Sequence, residues 1–276
     1  MRKATLCLCL LVATIDTSAQ NDAWWEDFNK SSVQQSKQKK EELETLDKKE
    51  KGFVAPTDGA LTLAYDRQIY VLRGPGSEDG DPLRLNGVKI GGTIHGRIKG
   101  AIGMEVPILF RIAHRTTNNP YDDNLESQKG NTMGVQMGLM LCTSYRFRRR
   151  CYITFAFGPK LDFTMFSMQK DVYPSGMTAH YDFISGDGWA KYNGETLDLE
   201  NDNLKQIKVF DMPFSLGTTF RYKAVGISLH YDIGTINRLK EAYYRQTGTN
   251  SDYIKRRDHF LTLGLQFDLG KGEMNK

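Results

Sequence analysis

The chain has 276 residues, 37 basic against 33 acidic side chains for a formal charge of +4, 39% hydrophobic residues and 11% aromatics. That content can build a core and argues against a disordered chain, while near-balanced charge argues against a dedicated nucleic-acid binder. No apolar run reaches the roughly 18–20 residues of a spanning helix. The mean hydropathy of −0.49 leaves a membrane barrel open, because only alternate strand residues must face lipid.

Residues 1–19 read as a secretory signal peptide. Arg2 and Lys3 precede the short apolar core Leu6–Ile15, and Thr17-Ser18-Ala19 offers small residues before a cut after Ala19. Leu6 and Leu8 stand where a lipobox needs a small residue before its Cys, which argues against lipidation at Cys7 or Cys9. Cleavage would leave 35 basic and 32 acidic residues, a charge of +3, and two cysteines, Cys142 and Cys151.

Residues 20–55 form a polar arm. Trp24, Trp25 and Phe28 open it, and the basic run Lys37-Gln38-Lys39-Lys40 meets the acidic run Glu41-Glu42-Leu43-Glu44. Such composition suits a solvated helix or unstructured chain. The arm is either a spacer or, through Trp24, Trp25 and Phe28, the contact for an envelope protein.

From residue 60 the hydrophobic period is two. Met133, Val135, Met137, Leu139 and Leu141 alternate with Gly134, Gln136, Gly138 and Cys142, a spacing no helix produces. Eight strands follow: 60–72, 86–98, 102–115, 131–147, 151–167, 207–222, 225–236 and 258–269. The first is irregular, since Arg67 falls on the face of Leu61, Leu63, Tyr65, Ile69 and Val71; a bulge or a shifted start would account for it. Three turns are short: 99–101 should oppose Ile98 to Ile102, 148–150 Phe147 to Cys151, and 223–224 Tyr222 to Val225. The connections 73–85, 116–130, 168–206 and 237–257 are long, so short and long alternate as in an up-and-down meander.

The fold class is therefore all-β, an eight-stranded antiparallel up-and-down barrel over 56–276. Its second face decides which side is apolar. That face carries many glycines and Glu105, Arg111, Lys160, Asp162, Asp211, Arg221, His230, Asp232 and Asp268. Glycines weaken a solvated strand, but in a narrow lumen they make room for long charged side chains that pair with one another. The reading is a transmembrane barrel in lipid, in the outer membrane of a Gram-negative-type cell, with short turns and both termini periplasmic. A soluble lipocalin-like ligand-binding barrel, apolar inside, is the alternative.

These residues resemble a family. The signal peptide, the spacer, the eight strands and the final Leu263-Gly264-Leu265-Gln266-Phe267-Asp268-Leu269 are similar to the PorT-like small outer-membrane β-barrel proteins. Asp211-Met212-Pro213-Phe214-Ser215-Leu216 resembles that family's Pro-containing strand, and Glu105-Val106-Pro107-Ile108-Leu109 resembles it with Val before the Pro. The resemblance covers about 60–269 and implies an outer-membrane location without enzymatic activity.

Chemistry is sparse. His230 and Asp232 share a face and could orient a general base, the basis of a second alternative, an outer-membrane lipid hydrolase or acyltransferase. No G-x-S-x-G elbow and no zinc spacing accompany them, so catalytic residues, metals and cofactors are expected to be none. Glu78-Asp79-Gly80-Asp81 and Asp187-Gly188 read as solvated turns before calcium loops. The longest loop carries Tyr173, Tyr181, Phe183, Trp189 and Tyr192, suited to recognising a partner or to capping the barrel mouth. Cys142 and Cys151 fall on opposite faces of the sheet and cannot meet disulfide geometry. Labelling of the mature, unfolded and unreduced chain should find two reactive thiols; finding none would overturn the register.

Overall fold

Two-residue periodicity dictates strands whose faces differ, and the strands of this chain are long. The computed structural model describes residues 33–34, 36–38, 41, 51–73, 83–117, 125–148, 151–199, 204–248, 250 and 254–269. The signal segment, Trp24, Trp25, Phe28 and the Glu78–Asp81 turn lie outside them. The chain divides into Met1–Glu50 and Lys51–Lys276. In the first unit the described residues are helical.

In the second unit the elements are β1 (Gly52–Val54), β2 (Gly59–Arg73), β3 (Leu83–Lys99), β4 (Ile102–Thr117), β5 (Ser127–Gly138), β6 (Met140–Arg148), β7 (Cys151–Val172), β8 (Thr178–Asp182), β9 (Gly188–Tyr192), β10 (Glu195–Asp198), β11 (Phe210–Asp211), β12 (Phe214–Tyr222), β13 (Val225–Ile233), α1 (Glu241–Thr247) and β14 (Lys255–Asp268). Every strand pair is antiparallel, and β14 closes the ring on β2 from Lys255↔Arg73 to Asp268↔Ala60. β5 and β6 share one register on β4, Ile108↔Met137 and Glu105↔Met140, and are one barrel strand interrupted at Leu139. Pro107, which has no N–H to give the ladder, sits beside Gly138 at this break. β11 and β12 are likewise one strand, broken at Met212-Pro213. The ring thus has eight strands, those read from the sequence.

Two short turns differ from the expected register. Lys99, not Ile98, opposes Ile102, and Ile98 is the extra residue of a bulge between Arg97 and Lys99. Arg148, not Phe147, opposes Cys151, with a bulge between Arg146 and Arg148. Gly100 at φ 58° supplies the left-handed residue that closes the first turn. Each bulge restores the face that a shortened turn would otherwise reverse. Tyr222↔Val225 pairs as expected. β2 has neither bulge nor shifted start: its register on β14 runs unbroken through Leu261↔Arg67. Arg67 faces outward with its apolar neighbours.

Polarity is inside out. Leu61, Ile90, Ile94, Leu216, Ile227 and Leu263 are each half or more exposed, while Lys89, Arg111, Asp162 and Asp232 are completely buried. Apolar outer wall and polar sealed lumen are what a bilayer requires and the reverse of a soluble ligand-binding barrel. On β3 the outward apolar residues run from Val88 to Ile98. That is about 33 Å of strand, or about 25 Å along the axis at a tilt near 40°, the height of a hydrocarbon core. The chain is a transmembrane β-barrel.

The short-turn end is closed by the chain that enters it. β1 pairs with β6 through Phe53↔Tyr145. Pro56 then packs against Gly103, and the Asp58 carbonyl accepts from the His95 backbone N–H at 2.7 Å. Lumen glycines set the packing: a Cβ on Gly217 would stand 2.2 Å from the His230 ring. Gly217→Val should therefore destabilise the barrel by about 1–3 kcal/mol through overpacking, read as a lower urea midpoint of the refolded protein; an unchanged midpoint would contradict this packing.

Candidate functional site

The lumen holds two stacked charge networks, each built because inward parity brings side chains from distant strands to one level. At mid-barrel, Lys89 on β3 contacts Asp66 on β2 at 2.8 Å and Asp232 on β13 at 3.7 Å. Lys160 on β7 meets the other Asp232 oxygen at 2.9 Å, and Gln136 donates to Asp232 at 3.1 Å. Thr262 donates to Asp66 at 3.0 Å and accepts from Lys89 at 2.9 Å. Above it, Arg111 donates to Gln68 at 2.5 Å and lies 3.3 Å from Asp162, while Gln68 donates to Asp258 at 3.1 Å. Arg238 descends from the connection after β13 to lie 3.8 Å from Asp162 and 3.7 Å from Asp258. Phe260, fully buried, has Lys89 at 5.0 Å and Arg111 at 4.8 Å from its ring centre, a cation–π link between the two levels.

A third cluster seals the short-turn end. Arg221 pairs with Asp58, and His95 bridges Asp58 at 2.7 Å and Glu105 at 3.4 Å. Gln266 accepts from Arg221 at 3.1 Å.

Glu105, Arg111, Lys160, Asp162, Asp211, Arg221, His230 and Asp232 are all buried. Asp211 does a different job from pairing: its carboxylate accepts the Met212 and Ile236 backbone N–H groups at 2.8 and 3.2 Å, tying the β11–β12 break to the turn after β13. Asp268 is the exception. It is only half-buried at the end of β14, because the strand terminates there and the wall no longer encloses it. Strand parity could also have found Asp66, Gln68, Lys89 and Asp258; Asp58 and Arg238 come from connections, where no periodicity points inward.

His230 and Asp232 do not form a pair. Asp232 is taken by Lys160 and Gln136, while the His230 ring lies against Gly217. The cavity beside His230 measures about 20 Å³ and is lined by Thr93, Glu105 and Lys160, room for about one water. Cys142 is buried in the lumen, Cys151 is partly exposed, and both are free. Among the described residues no group of three or more His, Cys, Asp or Glu could hold a metal ion.

About half of the described residues in the long connection 168–206 are strand. β7 continues to Val172, and β8, β9 and β10 extend its sheet beyond the barrel. A bulge at Met165 reverses the parity, so Ser167 and Asp171 turn inward. The aromatics divide between two faces. Tyr181 and Phe183 stack at 6.2 Å, and Phe183 with Ile207 and Tyr70 lines a cavity of about 80 Å³ at the long-loop end. Burial, then the hydrogen bond with half-buried Tyr173, pushes the Tyr181 phenol pKa up. Trp189 stacks on His180 at 3.9 Å, and Trp189 and Tyr192 remain exposed. Asp187, Trp189, Lys191 and Thr196 line an open hollow of about 650 Å³ there. Phe183 therefore has the capping position, and Trp189 and Tyr192 the accessible one.

No protein-family model matches the chain, and no curated protein matches it. Among solved structures, the chain is similar to Ail, the attachment invasion locus protein of Yersinia pestis, solved with the heparin analogue sucrose octasulfate. Identity is 10%, over 77% of this chain and 100% of that one, with a TM-score of 0.34. Neisserial surface protein A matches at 10% identity over 76% and 99%, TM-score 0.34. The Escherichia coli outer-membrane protease OmpT matches at 10% over 79% and 98%, TM-score 0.24. Identities this low leave the chemistry of those proteins with those proteins.

Removing one partner of a buried pair strands the other charge. Asp232→Ala should cost about 3–5 kcal/mol by leaving Lys89 and Lys160 without it, measured as the shift in urea midpoint in detergent micelles. Adding Lys160→Met should recover part of the loss. A midpoint unchanged by Asp232→Ala would show the network to be dispensable.

Proposed function

We propose that the chain is a non-enzymatic, PorT-like outer-membrane β-barrel that acts through contacts made outside the lumen. The observation that carries this reading is a lumen occupied by cross-barrel charge pairs, beneath a strand extension that presents Trp189 and Tyr192. An eight-stranded interior filled by its own side chains neither conducts nor holds a ligand. The Pro-containing segments of the family resemblance fall at the strand breaks, Pro107 beside Gly138 and Pro213 between β11 and β12. An even number of strands with all short turns at one end favours both termini in the periplasm.

The hydrolase alternative draws no support from the site, since His230 is sealed in the lumen and apart from Asp232. A secretion-associated or surface-interaction role is consistent with a barrel whose sheet extends beyond its long-loop end. In cells the protein should stay with membranes through a carbonate wash. In planar bilayers the refolded barrel should give no steady conductance. Release by carbonate would end the membrane reading, and sustained channel currents would end the filled-lumen reading.

A further inference from the structure

Arg67 breaks the apolar alternation of β2, yet the register leaves it on the outer wall. It has company there. Outward parity on β14, β2 and β3 also places Lys255, Arg257 and His259, then Arg73, then Arg84 on this wall, at the long-loop end. In the ladder Ile69 lies between His259 and Arg84, Val71 opposes Arg257, and Arg73 directly opposes Lys255. With strands about 4.8 Å apart, these side chains occupy a strip about 10 Å wide.

Among the described residues the strip has no carboxylate counter-ion. Among the described residues no carboxylate forms an ion pair with Arg67, Arg73, Arg84, Lys255 or Arg257; on the same strands Asp66 and Asp258 point into the lumen and are paired there, and Asp268 lies at the opposite end of β14. Like charges directly opposite on neighbouring strands, as Arg73 and Lys255 are, destabilise a sheet unless an anion lies between them. His259, 9% exposed, has Nε2 without a hydrogen-bond partner, and so has the buried Arg67 Nε.

Depth identifies the kind of anion that would match this strip. One row below Arg67 the wall becomes apolar, through Tyr65, Leu263 and Val88. At that boundary the Tyr65 hydroxyl donates to Asn86 at 2.5 Å, and the Tyr231 hydroxyl lies 3.3 Å from His259 Nδ1. Tyrosines with a ring in the apolar wall and a hydroxyl at its edge mark a membrane–water interface. An occupant that covers both zones carries acyl chains against Leu61, Leu63 and Leu263 and an anionic head against the arginines. Guanidinium groups match phosphate oxygens in paired hydrogen bonds.

We propose that this strip of Arg67, Arg73, Arg84, Lys255 and Arg257, with His259, binds the phosphate head of a membrane lipid in the leaflet at the long-loop end. The proposal rests on the membrane-barrel reading. It adds a headgroup site on the outer wall to a belt that otherwise offers only apolar contact.

The test is native mass spectrometry of the refolded mature chain, released from vesicles of phosphatidylcholine mixed equally with phosphatidate. Heat-modifiable gel mobility is recorded on every sample. The wild-type barrel should retain phosphatidate in preference to phosphatidylcholine, and inorganic phosphate should not displace it. Arg67→Gln should lower that retention roughly fivefold, and the triple variant Arg67→Gln, Arg84→Gln, Arg257→Gln more than tenfold. Lys223→Gln, in the turn at the other end, should leave it unchanged. Equal retention by wild type and Arg67→Gln, no preference in the wild type, or displacement by inorganic phosphate alone would overturn the lipid site. Should the triple variant not fold, Arg67→Gln and Arg84→Gln decide singly. Loss of heat-modifiable mobility in the wild type would instead overturn the barrel reading beneath it.

Discussion

A charge sealed from water must meet its opposite or unfold the protein that holds it, and this barrel holds many. Its outer wall is committed to lipid, so every long polar side chain of the strands has one place to go. Lys89, Lys160 and Asp232 meet at mid-barrel because β3, β7 and β13 deliver inward residues to the same height. Register, strand number and polarity are thereby linked: slipping one strand by one residue would put Lys89 in lipid and Ile90 in the lumen. Glycine is the complement of this constraint. Gly217 has no side chain because the His230 ring occupies the space one would need.

The same interior limits what the protein can do. Cross-barrel pairs hold the strands together where a conducting barrel would keep water. The short-turn end is closed by the incoming chain through Asp58 and Pro56, and the long-loop end by Arg238 and Phe183. The outer wall itself is not uniform: its apolar belt gives way, at one end of β14, β2 and β3, to a cluster of outward-facing basic residues.

Most of this architecture was legible in the sequence because parity is a strong signal over strands this long. Eight segments, their faces and the lumen charges follow from alternation alone. What alternation could not supply came from irregular positions. At these two turns a bulge and a turn one residue shorter than expected offset each other, so Ile98 and Phe147 looked like partners of Ile102 and Cys151 when each is an extra residue. The bulge at Met165 ended the legible part of β7, and the sheet beyond it read as loop. Asp58 and Arg238 enter the lumen from connections, where nothing periodic marks direction. Arg67 looked like an irregularity of the first strand and is instead an outward-facing residue of an unbroken register.

The central claim is that lipid lies outside this barrel and the charges lie inside it. Single nitroxide labels at consecutive positions of β14, from Leu261 to Gln266, on the refolded protein in vesicles test this most directly. Labels at Leu261, Leu263 and Leu265 should collide with dissolved oxygen as lipid-facing sites do, while those at Thr262, Gly264 and Gln266 should be shielded, a strict period of two. The opposite phase, or high accessibility to a water-soluble nickel chelate at the leucine positions, would contradict the account.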